Sequence, residues 1–114
     1  MAEHGDHLEE LEVQGVCVVV RFGCVRRDIY ELTTASRFPS ALRETLGAHG
    51  TLKGTPALYV VDVPGVHQIT IASERGRAVI MPRFSQPREA QRAAALQIAS
   101  LIAALGTIEP SSTP

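Results

Sequence analysis

Residues 13–22 read VQGVCVVVRF, an almost unbroken apolar run that contains five valines. Valine is stiff about χ1 and is favoured in strands over helices, and the run has the length of one strand. Its apolar side chains would lie on both faces of a sheet. The run therefore predicts a central β-strand.

A second run, 24–32, reads CVRRDIYEL and follows a possible turn at Gly23. It contains strand-forming residues but also three consecutive charges. Charges directed to both faces are typical of a strand at the edge of a sheet, because they discourage pairing with other chains. We therefore expect this segment to be an edge strand.

The hydrophobic period changes after this pair of runs. Phe38, Leu42 and Leu46 are four residues apart and predict a short middle helix. Short connections then separate further strand-like runs, which favours antiparallel neighbours. These runs are 57–63, 67–72 and 77–82. A final segment, 86–105, has apolar residues at spacings of three and four and predicts an amphipathic helix.

The predicted fold is α+β, with a five-stranded antiparallel sheet in the order strand-strand-helix-strand-strand-strand-helix. Residues 1–12 are expected to form an acidic stub with at most one helical turn, 13–106 the domain, and 107–114 a flexible tail. If both helices lie on one side of the sheet, the other face must be polar, covered by a partner or used as a ligand site.

Composition narrows the classes of function. The 114 residues are enough for one domain, with 45% hydrophobic and 20% charged residues and a net charge of −1. Such a charge provides no global field for nucleic acid or an anionic membrane, so nucleic-acid binding is not expected. No apolar run approaches the ~20 residues needed to span a bilayer, so membrane insertion is not expected either. The start lacks the pattern of a secretory signal, and we expect a cytoplasmic protein.

Residues that could carry chemistry are few. Cys17 and Cys24 match no common zinc pattern and are expected to be reduced and buried. His4 and His7 could hold a metal only weakly. No Ser-His-Asp arrangement can be argued, and no phosphate-binding loop is present. We expect no catalytic residue, no metal, no cofactor and no enzymatic activity.

The segment around 26–30 is the most informative candidate site. Arginine and tyrosine are favoured anchors in protein interfaces, and an edge strand offers unpaired backbone groups to a partner. The predicted partner-binding residues are Arg26, Arg27, Asp28, Ile29 and Tyr30. Alternatively, the charges only keep a lone edge from aggregating, and both explanations can hold together.

The chain resembles the Roadblock/dynein-light-chain family, especially its small bacterial members. The resemblance rests on VQGVCVVVRFG with the strand after it, on LYVVDV, HQITIASERG and RAVIMPRF, and on the terminal helix beginning SQPREA. It implies a homodimer in which the 57–63 strands join two sheets and the middle helices pack together. The implied dimer contacts are Leu42, Leu46, Ala57, Tyr59 and Val61.

Two functions from different classes follow. The resemblance implies a non-enzymatic adaptor or regulator that binds a small Ras-like GTPase module, its Roadblock-type regulator or an associated response-regulator protein. Its setting would be bacterial cell polarity or gliding motility. The alternative is a PAS-like small-ligand sensor, which requires a hollow lined with polar anchors. The short central connection and the lack of a visible polar cluster favour the adaptor.

Overall fold

The computed structural model of the protein describes residues 8–22, 28–83 and 87–108. These residues form seven strands, a short 3-10 turn and two α-helices. The strands are β1 (Leu8–Val13), β2 (Val16–Phe22), β3 (Asp28–Thr33), β4 (Thr51–Gly54), β5 (Leu58–Val63), β6 (His67–Ala72) and β7 (Arg77–Pro82). The helices are α1 (Leu42–Gly47), between β3 and β4, and α2 (Arg88–Ile108), after β7.

All seven strands belong to one antiparallel sheet in the order β1-β2-β3-β7-β6-β5-β4. The chain is α+β, but the predicted five-stranded sheet and its strand-helix order are wrong. The sequence pattern does not predict β1 and β4, which form the two edges of the described sheet. The strand expected at an edge, β3, lies between β2 and β7.

A two-residue turn explains the first unexpected strand. Val13 pairs with Val16, and the residues between them have positive φ angles, 51° at Gln14 and 93° at Gly15. Two such residues form the tight hairpin turn whose twist matches that of antiparallel strands. The run 13–22 is therefore the end of one strand and the whole of the next. Residues 8–12 of the expected acidic stub lie in β1 and form no helical turn, whereas residues 1–7 are outside the described residues.

A close backbone approach explains the second unexpected strand. Gly54, at the end of β4, has a φ of 111°. A Cβ atom there would lie 2.5 Å from the backbone oxygen of Leu58 and 2.8 Å from the Cα of Tyr59. Glycine alone fits this position without strain. The Thr55 backbone N–H then donates to the Leu58 oxygen at 2.9 Å and closes the connection to β5.

Both helices lie on the same face of the sheet, which we call the covered face. A row of strand residues that crosses this face contains Val18, Leu32, Ala78, Ile71 and Tyr59, each at most 1% exposed. Helix α2 packs over β1, β2 and β3, and α1 packs on β5. The opposite face, which we call the open face, carries no helix among the described residues.

Helix α2 lies close to the sheet because its inward residues are small. Ala95 and Ala99 are fully buried, and Ile102 is nearly so. Near its start, the Arg92 guanidinium donates two hydrogen bonds to the Glu9 carboxylate of β1, at 3.0 and 2.9 Å. These bonds lower the pKa of Glu9. They tie the helix to the edge strand that the sequence pattern does not predict.

Candidate functional site

The predicted partner strip lies at the start of β3. Arg26 and Arg27 are outside the described residues. Asp28 and Tyr30 lie on the covered face and are 3% and 1% exposed, whereas Ile29 lies half-buried on the open face. Since β3 pairs with β2 on one side and β7 on the other, it is not a free edge that a partner could extend. The edge prediction is wrong, and the partner contact itself stays a prediction.

Neighbours within the chain explain how β3 carries charges inside the sheet. The Asp28 Oδ1 atom lies 3.5 Å from Nε of Arg88 in α2. On the open face, Glu31 Oε2 lies 3.2 Å from Arg21 Nε and 3.4 Å from Arg77 Nη2. Each described acidic side chain of β3 therefore has a basic neighbour, so a charged strand does not need to lie at an edge.

The residues expected at a dimer interface lie mainly in the core of the single chain. Leu42, Leu46, Tyr59 and Val61 are each at most 4% exposed. Ala57 is exposed and precedes β5. The strand edge expected to join a second copy is occupied by β4. The interface assignment stays a prediction, but pairing of β5 with its copy would require β4 to move away.

The open face presents a continuous row of side chains across all seven strands. From β1 to β4 the pairing register places Glu10, Val19, Glu31, Val79, Thr70, Val60 and Lys53 in this row. Its three valines are half-buried although no described helix lies above them. The row is acidic at one edge of the sheet and basic at the other. We call it the open row.

Neighbouring rows extend the open face. One contains Arg21 on β2 and Asp62 on β5, and another contains Cys17 and Leu58 on the same two strands. Leu58 is 58% exposed and is the one large, exposed hydrophobic side chain in the described chain. Cys17 is a half-buried free thiol rather than a buried one, and Cys24 lies outside the described residues. Apolar surface with a polar or charged rim is typical of protein interfaces.

The covered face has a groove between its two helices. Helix α1 has only six residues and packs on β5, while α2 lies over β1–β3, so parts of β5 and β6 between the helices are left without a helix above them. The groove has a volume of about 600 Å³. Four of its lining residues are polar, namely His49, His67, Gln97 and Ser100. The others are apolar, so the groove is an amphipathic cleft with mostly hydrophobic walls.

His67 is the buried polar residue of this groove. It begins β6, faces the covered side and is 7% exposed. Burial lowers the pKa of its imidazole, because the charged form is disfavoured away from water. The ring is therefore neutral at pH 7, with one nitrogen as a donor and the other as an acceptor.

A second cavity, of about 490 Å³, lies near the start of α1. Beside it the Arg43 guanidinium stands 5.6 Å from the centroid of the Tyr59 ring and donates a hydrogen bond to the Gly54 oxygen at 2.8 Å. Burial raises the pKa of Tyr59, and the nearby Ser73 hydroxyl and Arg43 charge partly oppose this shift. These contacts tie α1 to the β4–β5 hairpin and serve a structural role.

The structure brings together no metal-binding cluster within the residues it describes. Over 8–22, 28–83 and 87–108, no three His, Cys, Asp or Glu side chains are placed to hold an ion. His4 and His7 lie outside these ranges. The described histidines, His49 and His67, both line the groove. No helix in the described part of the chain is long and apolar enough to cross a membrane.

Comparison with known proteins assigns no family. No protein-family model matches the chain, and no curated protein or solved structure is significantly similar to it. The resemblance to the Roadblock family therefore stays a prediction that rests on the segments quoted above.

The sequence pattern indicates that one face of the sheet can be left uncovered, but it identifies neither the residues of the open row nor the groove. In β6 the covered-face residues His67, Ile69 and Ile71 alternate with polar ones, which is a signal for one solvated face. In β2 the valines on both faces hide this alternation. The Gln14-Gly15 pair is the local signal for the β1–β2 hairpin, because a glycine in a two-residue connection favours a tight turn between paired strands. A hairpin at this position predicts β1. No local signal predicts the groove, because it forms between elements distant in sequence.

Proposed function

We propose that the protein is a non-enzymatic interaction module that forms a homodimer by stacking two open faces. The observation that carries the proposal is the open row, with Glu10 at one end, Lys53 at the other and valines between them. Half-buried apolar side chains gain free energy when a second surface removes them from water. A second copy of this face supplies both apolar surface and complementary charges.

The symmetry of the open row supports one arrangement. The strand β7 is the middle one of the seven. A twofold axis that runs parallel to the strands at β7 therefore places the open row of one copy over the open row of the other with the order of the strands reversed. Glu10 then faces Lys53 of the second copy, and Val79 faces its own counterpart. In a neighbouring row, Arg21 faces Asp62. Opposite charges therefore meet without a competing partner at the two Glu10–Lys53 contacts, whereas Asp62 is already paired with Arg83 of its own chain.

A twofold axis across the strands is less favourable. It would set Glu10 against Glu10 and Lys53 against Lys53, and like charges at close range repel. The axis along the strands brings the two copies of Arg77 together and sets Arg21 opposite Asp62, whose own partner Arg83 lies beside it. Glu31 lies 3.4 Å from the Arg77 guanidinium within each chain and offsets the repulsion between the two copies of Arg77. Charge thus favours the axis along the strands.

The size of the open face sets the expected strength of the dimer. Seven strands spaced about 4.8 Å apart, each about six residues long at about 3.3 Å per residue, span roughly 600 Å². Two such faces bury about 1,200 Å², at the lower end of specific interfaces. We therefore expect a reversible dimer that dissociates on dilution.

The resemblance to the Roadblock family supplies the partner class of this proposal. The dimer would act in the cytoplasm as an adaptor for a small Ras-like GTPase module, a Roadblock-type regulator of one or a response-regulator protein. Its two covered faces would point outward and remain available to that partner. Ile29 lies on the open face, so we expect it to contribute to the dimer rather than to the partner contact.

A substitution at the axis tests the interface. Val79→Arg places two guanidinium groups against each other at the centre of the stacked faces, so the variant is expected to be a monomer. Ala93→Arg, on an exposed position of α2, is the matched control and should dimerise normally. Sedimentation velocity over a concentration series measures both. A folded Val79→Arg chain that dimerises as well as the control excludes the open face.

Charge exchange tests the register. Glu10→Lys and Lys53→Glu should each weaken the dimer about two- to fivefold per altered contact, because each creates a like-charged pair. The double variant restores opposite charges and should recover the original dissociation constant. If the double variant is weaker than either single one, the proposed axis is wrong.

A further inference from the structure

The groove between α1 and α2 has the size and lining of a small-molecule site. Its volume of about 600 Å³ lies within the range of about 300–1,000 Å³ typical of such sites. Most of its surface is aliphatic, and six of the apolar side chains are Leu46, Val61, Val63, Ile69, Ile98 and Leu101. Such walls favour a hydrophobic ligand.

One buried polar group in the groove has no partner in the described chain. The residue His67 is 7% exposed, and no described residue forms a hydrogen bond with its imidazole. The ring nitrogens are not among the fully enclosed polar atoms that lack a partner in the described chain, so they border the open space of the groove. A molecule in the groove can therefore reach them. The neutral ring offers one donor and one acceptor to such a molecule.

The charges of the lining limit the chemistry of the ligand. None of the twelve lining residues is Asp, Glu, Lys or Arg. The exposed polar residues are His49, Gln97 and Ser100. An ionised head group would thus lose water without gaining an ion pair. An uncharged head group would lose less and could still pair with His67.

We propose that this groove binds a small uncharged amphiphile, an aliphatic chain that carries one hydroxyl or carbonyl group. The chain lies against Val61, Ile69 and Ile98, and the polar group exchanges a hydrogen bond with the His67 imidazole. The site goes beyond the proposed dimer and uses the opposite face of the sheet. Either proposal can therefore fail without the other.

1-Octanol is the test ligand, titrated into the full chain and followed by NMR of methyl groups. Saturable shifts are expected for the methyls of Val61, Ile69 and Ile98, while the Val79 methyls on the open face serve as an internal control. Octane and octanoate are the comparison probes. Octanol should bind about fivefold more tightly than octane, which lacks the hydrogen bond, and more tightly than octanoate, which has no cation to pair with.

Two variants test the site itself. Ala94→Trp fills the groove from α2 and should abolish the saturable shifts, whereas Ala93→Trp, at the adjacent exposed position, should preserve them. His67→Phe keeps a ring but removes both hydrogen-bonding atoms. It should weaken octanol binding about fivefold and leave octane binding unchanged.

Three results would overturn the proposal. Octanol shifts that do not saturate, or that affect Val79 rather than the groove methyls, exclude the site. Octanoate that binds more tightly than octanol excludes a neutral head group. A His67→Phe variant that is folded and binds octanol as tightly as the unchanged chain removes His67 as the anchor.

Discussion

The two faces of the sheet are made by the same strands but differ in what lies above them. On the covered face, Leu32 and Ile80 are fully buried under the helical layer. On the open face, Val19 and Val79 are half-buried with no described helix above them, and charged residues end their row. The contribution of an apolar side chain to stability therefore depends on whether the helical layer covers it and not on which strand carries it.

The largest expected effect tests this contrast directly, with adjacent residues of the central strand. Ile80→Ala removes fully buried volume and should lower the free energy of unfolding by about 2–5 kcal/mol. Val79→Ala, on the open face, should cost less than about 1 kcal/mol in the monomer. Urea unfolding at a protein concentration too low for the dimer to form measures the loss of stability in both variants. Equal losses would show that the open face is packed as tightly as the covered one.

Acidification should lower the stability of the protein by an intermediate amount, through a residue of the covered face. The pKa of His67 is lowered from 6.5 by burial, so the folded state takes up this proton less readily than the unfolded chain. Stability should therefore fall as the pH drops below about 6.5. Glu9, whose pKa is lowered from 4.5, loses its contribution only at more acidic pH.

Melting temperatures between pH 7.5 and 5.5 check this prediction. The decrease in Tm should be smaller than that caused by Ile80→Ala, because only one proton is involved. The variant His67→Phe should show a flatter profile over the same range. An equally steep profile in that variant would assign the pH dependence to other groups.

The smallest expected loss of stability comes from an ion pair on the open face. Glu31→Gln removes the charge between Arg21 and Arg77, whose side chains are 52% and 51% exposed. Exposed ion pairs contribute little and are screened by salt, so the loss should be a few tenths of a kcal/mol and should shrink in 1 M NaCl. Urea unfolding at both salt concentrations measures it. A loss above 1 kcal/mol that persists in salt would indicate a buried network.

The candidate surfaces could be predicted only in part. The sequence indicated that one face of the sheet would be left for another role if both helices lay on the other side, and both do lie on one side. It did not indicate the residues of the open row or of the groove. It also placed the strip at 26–30 at an edge, whereas β3, which contains 28–30, lies inside the sheet; the partner contact of that strip stays a prediction. Asp28 and Tyr30 instead pack beneath α2, where the ion pair with Arg88 and the apolar core make their burial possible.

Local pattern predicts the α+β class, the positions of β5, β6 and β7 and the presence of two helices, although α1 begins only at Leu42 and Phe38 precedes it. These features depend on side-chain period, on glycine and proline, and on contacts between residues close in the chain. Strand order was decided only by folding, since pairing of β3 with β7 joins segments that are distant in sequence. The open row and the groove have the same origin, because each is assembled from elements whose proximity no local pattern encodes.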